Sequence, residues 1–120
     1  MNPLRIHHVS LMVENLDDAL DFYVGALGMR PRTDQPHSAG RGVWLDVGDQ
    51  QLHLIEGDPP STTGQHFAVR LADLEATRER LLSRGADVGE VVHVGTAKQA
   101  FLRDPSGNAI ELHESGSQVA

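Results

Sequence analysis

Two largely apolar stretches each precede a segment whose apolar positions recur at helical spacing. Residues 6–13 (IHHVSLMV) and residues 66–71 are rich enough in apolar and β-branched side chains to predict strands. The apolar positions at helical spacing are Leu16, Leu20, Tyr23 and Leu27 after the first strand, and Leu74, Leu81 and Leu82 after the second. They predict one amphipathic helix after each strand, and in the second helix all three leucines are expected to face the core.

Capping and turn residues bound these elements. Asn15 and Asp73 are typical N-cap residues, and Gly28 and Gly85 stand where the helices are expected to end. Further strands are predicted at 43–47 and 51–55 around Gly48 and Asp49, at 100–103 and 108–113 around Pro105, Ser106 and Gly107, and more weakly at 29–34 and 88–94. The order of strand, helix and further strands therefore occurs twice, which predicts an α+β fold.

The second half of the chain repeats the first with a shift of 58 residues. The coinciding pairs include Val9 and Phe67, Val43 and Phe101, Trp44 and Leu102, and Leu54 and Leu112. Two long copies are too few for a solenoid, so the pattern predicts one domain of paired modules over residues 1–120. The predicted parts are a module at 5–57, a linker at 58–63, a module at 64–114 and a frayed tail at 115–120.

Each copy carries two potential metal ligands at the same spacing. His8 precedes His53 by 45 positions, and His66 precedes Glu111 by 45 positions. Because side chains alternate along a strand, all four fall on mixed faces, opposite the apolar residues that a helix would cover. If the four converge on a pseudo-twofold axis, they make a divalent metal site on a polar, concave surface of a curved, half-open sheet.

The mixed face of the first copy offers further contacts for a ligand. Ser10 shares a face with His8, and a two-residue turn at Gly48 and Asp49 would pair Trp44 with His53. Trp44 would then either stack on a planar ligand or serve as a core aromatic. His7 is predicted to point to the opposite face, away from any metal.

The mixed face of the second copy includes Arg70, which shares a face with His66, and His113, which shares one with Glu111. Arg70 would bind a substrate carboxylate or pair with an acid, and His113 would line the mouth of the site. His37 and His93 are predicted to be solvated. The loops that would rim the cavity are flanked by Arg41, Lys98, Gln99 and Arg103, each of which is expected to be a surface residue rather than a ligand contact. The segment 30–41 is expected to be a plain loop or a substrate lid.

Composition narrows the class of protein. The chain has no cysteine, which excludes disulfides, zinc–thiolate sites and thiol nucleophiles and is compatible with a reducing cytoplasm. Its formal net charge of −7 argues against a nucleic-acid partner, which would require a basic face. No apolar run approaches the ~20 residues of a membrane span, and no leader opens the chain, so neither a membrane nor export is expected.

Four segments together resemble the vicinal oxygen chelate superfamily, which includes glyoxalase I, extradiol dioxygenases and bleomycin-resistance proteins. They are IHHVSLMVENLDDALDFYVGALG, QLHLIE, HFAVRLADLEATRERLLSRGA and FLRDPSGNAIELHE, and the resemblance covers about residues 5–114. It implies two paired βαβββ modules around a central cavity. It also implies a metal bound by the first-strand and last-strand positions, which here are His8, His66, His53 and Glu111.

The resemblance implies a metal-dependent enzyme acting on a small substrate with two adjacent oxygens. Fe, Mn, Ni and Zn suit imidazole and carboxylate ligands, and either His53 or Glu111 could leave the metal to act as a base. An isomerase or lyase is expected first and a dioxygenase next, in a cytoplasmic homodimer. The alternative is a non-catalytic resistance protein that binds a bleomycin-type antibiotic.

Two departures from glyoxalase I bear on the substrate. Glyoxalase I enzymes resemble this chain but carry glutamate where His53 stands. The bacterial ones also carry a glutathione-binding arginine near the position of Met12. The absence of that arginine argues against glutathione as part of the substrate.

Overall fold

The computed structural model describes residues 3–35, 41–61 and 64–116. The chain divides into two compact units, Met1–Pro60 and Ser61–Ala120. Three predictions extend beyond the described residues: the loop or lid at 30–41 with His37, the second part of the linker at 58–63, and the end of the tail at 115–120.

The first unit is a four-stranded mixed sheet with one helical segment. Its elements are β1 (His8–Val13), α1 (Leu16–Leu20), a π-helical continuation of α1 (Asp21–Ala26), β2 (Arg30–Pro31), β3 (Gly42–Val47) and β4 (Gln50–Glu56). The strand order is β1-β4-β3-β2, with β1 and β4 parallel and the other pairs antiparallel.

The second unit repeats this arrangement. Its elements are β5 (Phe67–Arg70), α2 (Leu74–Ser83), β6 (Val92–Val94), β7 (Ala97–Arg103) and β8 (Ala109–Glu114). The strand order is β5-β8-β7-β6, again with the outer first strand parallel to the last. Two βαβββ modules are therefore present, and the predicted α+β class is confirmed. Within the described ranges, no helix has the length and apolar character that a membrane span requires.

Both helices begin where the sequence predicts. The side chains of Asn15 and Asp73 each accept a hydrogen bond of 3.0 Å, from the backbone N–H of Asp18 and of Ala76. Such caps satisfy amide groups that have no partner within the helix. Gly28 and Gly85 follow the helices with φ of 78° and 88°, a region that glycine enters without the Cβ penalty.

A carboxylate from the last strand of each unit adds a second cap. The backbone N–H of Leu16 donates to Oε2 of Glu56 at 3.1 Å, and that of Leu74 donates to Oε1 of Glu114 at 2.9 Å. Both glutamates therefore tie the end of a strand to the first turn of a helix, where the helix dipole favours negative charge.

The first helix contains one more residue than the second between its cap and its terminal glycine. Asn15 to Gly28 is one position longer than Asp73 to Gly85. The extra residue is accommodated by the π-helical segment, in which the N–H of Leu27 donates to the carbonyl of Phe22, five residues earlier, at 3.0 Å.

Each unit has its own apolar core between helix and sheet. The largest fully buried side chains are Val13, Tyr23, Leu45, Leu52 and Leu54 in the first unit, and Leu74, Leu81, Ile110 and Leu112 in the second. The prediction that Leu82 faces the core is wrong, because its side chain is 41 % exposed. Leu74 and Leu81 are seven residues apart and share one face, whereas Leu82 lies about 100° further round the helix.

The two hairpins differ in the length of their turns. The first is the predicted two-residue turn, and it pairs Trp44 with His53. The second is longer, and it pairs Phe101 with Glu111. Phe101 is therefore the structural counterpart of Trp44, and the predicted coincidence of Trp44 with Leu102 and of Val43 with Phe101 is wrong by one residue.

The longer turn is built around a buried aspartate. The side chain of Asp104 accepts hydrogen bonds from the backbone N–H groups of Ser106 and Asn108 and from the Asn108 amide, at 2.8–2.9 Å. Gly107 takes a φ of 90° in the same turn. The Asp-Pro-Ser-Gly-Asn segment thus fixes how β7 returns as β8.

Candidate functional site

Three aromatic rings form a stack in the first unit. His53 lies between His8 and Trp44, with ring centroids 4.0 Å and 4.3 Å away and interplanar angles of 11° and 5°. The register explains the contact with Trp44, because paired residues of antiparallel strands project on the same side. The structure therefore brings together the two candidate ligands of the first copy.

His53 is the buried member of this stack, with 6 % of its surface exposed. Its Nε2 lies 2.8 Å from Oε1 of Gln51, two residues earlier on the same face of β4. Burial lowers the pKa of His53, and electrostatic interactions with His8, His7 and Arg32 lower it further. These effects favour the neutral form of the ring, which is the form that binds metals.

The position of His7, beside the ring stack, differs from the sequence prediction. Nδ1 of His7 lies 2.9 Å from Nδ1 of His8, so the prediction that His7 points away from His8 is wrong. Strand β1 begins only at His8, and the alternation of side chains does not extend back to His7. Ser10 is exposed and lies opposite His53 in the β1–β4 register.

The second unit brings its own two candidate ligands into contact. Nε2 of His66 lies 3.1 Å from Oε1 of Glu111. Nδ1 of His66 lies 2.9 Å from the carbonyl oxygen of Gly64. Because a carbonyl can only accept, Nδ1 carries a proton, and Nε2 hydrogen-bonds to the carboxylate when it is protonated as well. A backbone carbonyl that fixes the tautomer in this way is the usual outer partner of a metal-binding histidine.

The other oxygen of Glu111 is also engaged. Its Oε2 lies 3.1 Å from Nδ1 of His113, so the carboxylate stands between two imidazoles with only 13 % of its side chain exposed. The hydrogen bond to the Gly64 carbonyl raises the pKa of His66, and the bond to Glu111 raises it further. Arg70, opposite His113 in the β5–β8 register, is exposed, and its side chain has no hydrogen bond or ion pair within the described residues.

A groove lies beside this pair in the second unit. Its volume is about 680 Å³, and it is lined by Gly64, His66, Asp87, Gly89, Phe101, Leu102, Arg103 and Ala109. The rings of Phe101 and His66 meet edge to face with centroids 5.2 Å apart. The candidate ligand His66 is therefore accessible from an open, partly apolar space.

The donors fit a divalent metal ion. The imidazole of His66, oriented by Gly64, and the carboxylate of Glu111 are ligand types that suit Fe, Mn, Ni and Zn. Within either unit, as far as its residues are described, no three His, Cys, Asp or Glu side chains are grouped closely enough to hold a metal by themselves. Each unit thus supplies one pair of donors.

Sequence reasoning missed three residues that shape these pairs. Gln51 could have been found from strand parity, since it stands two residues before His53 on the same face. Phe101 was missed because the fixed shift of 58 residues matches Trp44 to Leu102 instead. The carbonyl of Gly64 leaves no signal in the sequence, because any residue type supplies a carbonyl.

Comparison with protein families agrees with the fold. Residues 5–112 match the family model described as the glyoxalase/bleomycin resistance protein/dioxygenase superfamily. A lactoylglutathione lyase from Neisseria meningitidis is 32 % identical, covering 95 % of this chain and 93 % of its own length. A metallothiol transferase from Shouchella clausii is 31 % identical, covering 90 % of this chain and 78 % of its own length.

One solved structure extends the comparison to a protein of another kind. An antibiotic binding protein from a Streptomyces species superimposes with a TM-score of 0.80 at 30 % identity. The match covers 98 % of this chain and 99 % of that protein. Chains similar to this one therefore include enzymes and a binding protein.

Proposed function

This chain belongs to the glyoxalase/bleomycin resistance protein/dioxygenase superfamily, and we propose that it is a metal-dependent enzyme of that family. The proposed substrate is a small molecule with two adjacent oxygens. The observation that carries the proposal is the His66–Glu111 pair, in which a tautomer-fixed imidazole meets a largely buried carboxylate at 3.1 Å. Burial of a carboxylate is costly without charged or polar partners, and a divalent cation held between His66 and Glu111 would add to the stabilisation that the two neighbouring imidazoles give it.

The proposed ligands are His8, His53, His66 and Glu111. A divalent ion bound by them would supply Lewis-acid stabilisation of the negative charge that develops on a substrate oxygen. Glu111 is suited to move a proton between adjacent carbons, because its second oxygen already lies 3.1 Å from an imidazole nitrogen of His113. His53, which burial keeps neutral, is the alternative base.

Isomerase or lyase chemistry is the first choice within this class, and dioxygenase chemistry is the second. Similarity to a lactoylglutathione lyase favours the first choice. Bacterial glyoxalase I, which this chain resembles, carries a glutathione-binding arginine near the position of Met12. Because this chain has no arginine there, we propose that its substrate does not contain glutathione. We further propose that the protein acts in the cytoplasm and that it is a homodimer. Sedimentation of the purified protein would test the proposed dimer.

The test is metal binding by untagged protein, read by elemental analysis and by fluorescence. Trp44 is the only tryptophan and lies against His53, so a metal at His53 changes its emission. Protein reconstituted in turn with Fe, Mn, Ni and Zn is expected to hold about one equivalent per chain of at least one metal. The double variant His66→Ala/Glu111→Ala is expected to lose it.

A matched control variant is His93→Ala/Glu79→Ala, which removes the same two residue types from exposed positions. It should retain the metal of the parent. Metal retained by the His66→Ala/Glu111→Ala variant, or absent from the parent with every ion tested, would rule out the proposed enzyme.

A non-catalytic antibiotic-binding protein is the second candidate, favoured by the 30 % identity with the Streptomyces antibiotic binding protein. It requires no metal. Tight binding of bleomycin to the metal-free protein, with an unchanged affinity in the His66→Ala/Glu111→Ala variant, would favour this candidate over the enzyme.

A further inference from the structure

At least half of the ten lysine and arginine side chains form ion pairs with carboxylates within the described residues, but Arg103, which lines the groove of the second unit, does not. Ion pairs with carboxylates involve Arg5, Arg32, Arg41, Arg78 and Lys98. Arg103 makes one hydrogen bond within the described residues, from Nη1 to the carbonyl of Gly107 at 2.7 Å. A guanidinium has five N–H donors, so four remain available.

The groove places Arg103 beside the candidate metal ligands of its own unit. Phe101 pairs with Glu111, and Arg103 pairs with Ala109 on the same face of the β7–β8 ladder. Arg103 and Glu111 are thus diagonal neighbours, whose Cα atoms are typically ~7–8 Å apart. Ala109 also lines the groove; it lies on β8, the strand between β7 and β5, where it pairs with Arg103 and precedes Ile110, the partner of Phe67.

Apolar surface accompanies this charge. Phe101 is 41 % exposed, and together with Ala109 it gives the groove an apolar floor next to the guanidinium. Apolar lining residues beside a guanidinium match a molecule with a flat or apolar body and a carboxylate.

We propose that Arg103 and Phe101 form a carboxylate subsite, so that the substrate is a small organic acid with a flat or apolar body. The carboxylate meets Arg103, the body lies over Phe101 and Ala109, and the far end of the molecule reaches His66 and Glu111. The sequence places Arg103 beside a loop at the rim of the cavity and favours a surface role there, and we now assign it the alternative role of a ligand contact. Its catalytic meaning rests on the proposed function, but carboxylate binding itself does not require a metal.

Asp87 gives the subsite a second, opposite test. It lines the same groove, and it has no ion pair with Arg103 or any other described residue. Its negative charge opposes the binding of an anion and therefore sets a limit on affinity. Removing that charge should strengthen carboxylate binding, while removing the charge of Arg103 should weaken it.

The experiment is an NMR titration of the ¹⁵N-labelled, metal-free protein with benzoate and, as the uncharged analogue, benzyl alcohol. Benzoate is expected to shift the signals of Phe101, Ala109 and the Arg103 side chain. Arg103→Gln should weaken benzoate binding about tenfold or more, and Asp87→Asn should strengthen it about threefold. Binding of benzyl alcohol should change in neither variant.

Two controls separate binding from structure. Arg80→Gln removes an exposed helical arginine and should leave benzoate binding unchanged. Arg103→Lys keeps the charge and one donor for Gly107, and it should bind benzoate more tightly than Arg103→Gln. Equal loss in the lysine and glutamine variants, with shifted signals over 104–108 in both, would mean that Arg103 only supports the turn and would overturn the proposal.

The remaining outcomes are also decisive. Equal affinity for benzoate and benzyl alcohol, or benzoate shifts outside the groove, would refute the subsite. Titration of the same samples with Fe, Mn, Ni and Zn in turn, followed by Trp44 emission, tests the proposed function independently. Benzoate binding without metal binding removes the enzyme proposal and keeps the subsite, whereas metal binding without benzoate binding does the reverse.

Discussion

Leu112 shows at the scale of a single residue what burial in these small cores contributes. Its side chain is fully buried on β8, opposite the face that carries Glu111. Leu112→Ala is expected to lower the free energy of unfolding by about 2–5 kcal/mol, because it removes buried apolar surface and leaves a cavity. Urea denaturation followed by circular dichroism measures the change.

Leu82 is the matched control for that prediction. It is the same residue type but is 41 % exposed on the outer side of α2. Leu82→Ala is expected to change the free energy of unfolding by less than about 0.5 kcal/mol. A loss comparable to that of Leu112→Ala would show that Leu82 is buried in solution.

Residue-level features of the site were predictable where strand parity governs them. Alternation placed His53 with Trp44, and the same rule put His113 on the face of Glu111. Alternation failed for His7, which precedes the strand, and it is silent about backbone groups such as the Gly64 carbonyl. Contacts made outside regular strands can be identified only from the three-dimensional structure.

At the scale of elements, the glutamates that end β4 and β8 connect strand and helix in each unit. Glu56→Ala and Glu114→Ala are each expected to cost about 1 kcal/mol of unfolding free energy, since each leaves a first-turn N–H without its carboxylate. The glutamine variants retain an acceptor oxygen and should cost less. Chemical denaturation of the four variants measures both effects.

A contrary result is easy to recognise. Glu79 is exposed on α2 and should tolerate substitution by alanine. If Glu56→Ala and Glu114→Ala are no less stable than Glu79→Ala, the two carboxylates do not serve as caps in solution.

The extra residue of the first helix leads to a third prediction. Gly25 is exposed within the π-helical segment, and its deletion would give that helix the same cap-to-glycine length as α2. The deletion is expected to leave the free energy of unfolding within about 1 kcal/mol of the parent, because an interior glycine is itself unfavourable in a helix. Thermal melts followed by circular dichroism test this.

The control for the Gly25 deletion is deletion of Arg80, which removes an exposed residue from α2, a helix without an extra residue. It moves Leu81 off the buried face and should destabilise the protein by several kcal/mol. Equal effects of the two deletions would contradict the assignment of the surplus residue to the first helix.

The elements themselves were largely predictable from caps, turns and periodicity. The N-caps Asn15 and Asp73 and the two-residue turn lie where local rules place them. The π-helical segment was not predicted, because Leu16, Leu20, Tyr23 and Leu27 also fit a regular α-helix. Surplus length in a helix becomes visible only when its hydrogen bonds are known.

At the scale of the whole molecule, metal binding should appear as stability. A metal that binds only the folded chain stabilises it by about 2.7 kcal/mol at a concentration 100 times its dissociation constant. For a chain of this size that is expected to raise Tm by several degrees, and the rise should be absent in the His66→Ala/Glu111→Ala variant. Differential scanning calorimetry with and without EDTA measures it, and an equal rise in the variant would place the metal elsewhere.

The duplicated plan was visible in the sequence because both copies keep their apolar and capping positions. The sequence could not show which residue of β3 corresponds to Phe101, because a fixed shift assumes that no segment has changed length. The alternation of apolar and polar residues indicates which face of a strand a side chain lies on. Which residues of the two copies are equivalent depends on the hydrogen-bond register between their strands.

The equal spacing of 45 residues between His8 and His53 and between His66 and Glu111 conceals two separate changes of length. The first copy has its additional residue in the helix, and the second has its additional residue in the turn around Asp104. After an ancestral duplication, each copy would have accepted one inserted codon where the backbone could absorb it without moving a ligand. Alignments of the two halves in related genes should therefore need two gaps of one codon each, on opposite sides of the third strand.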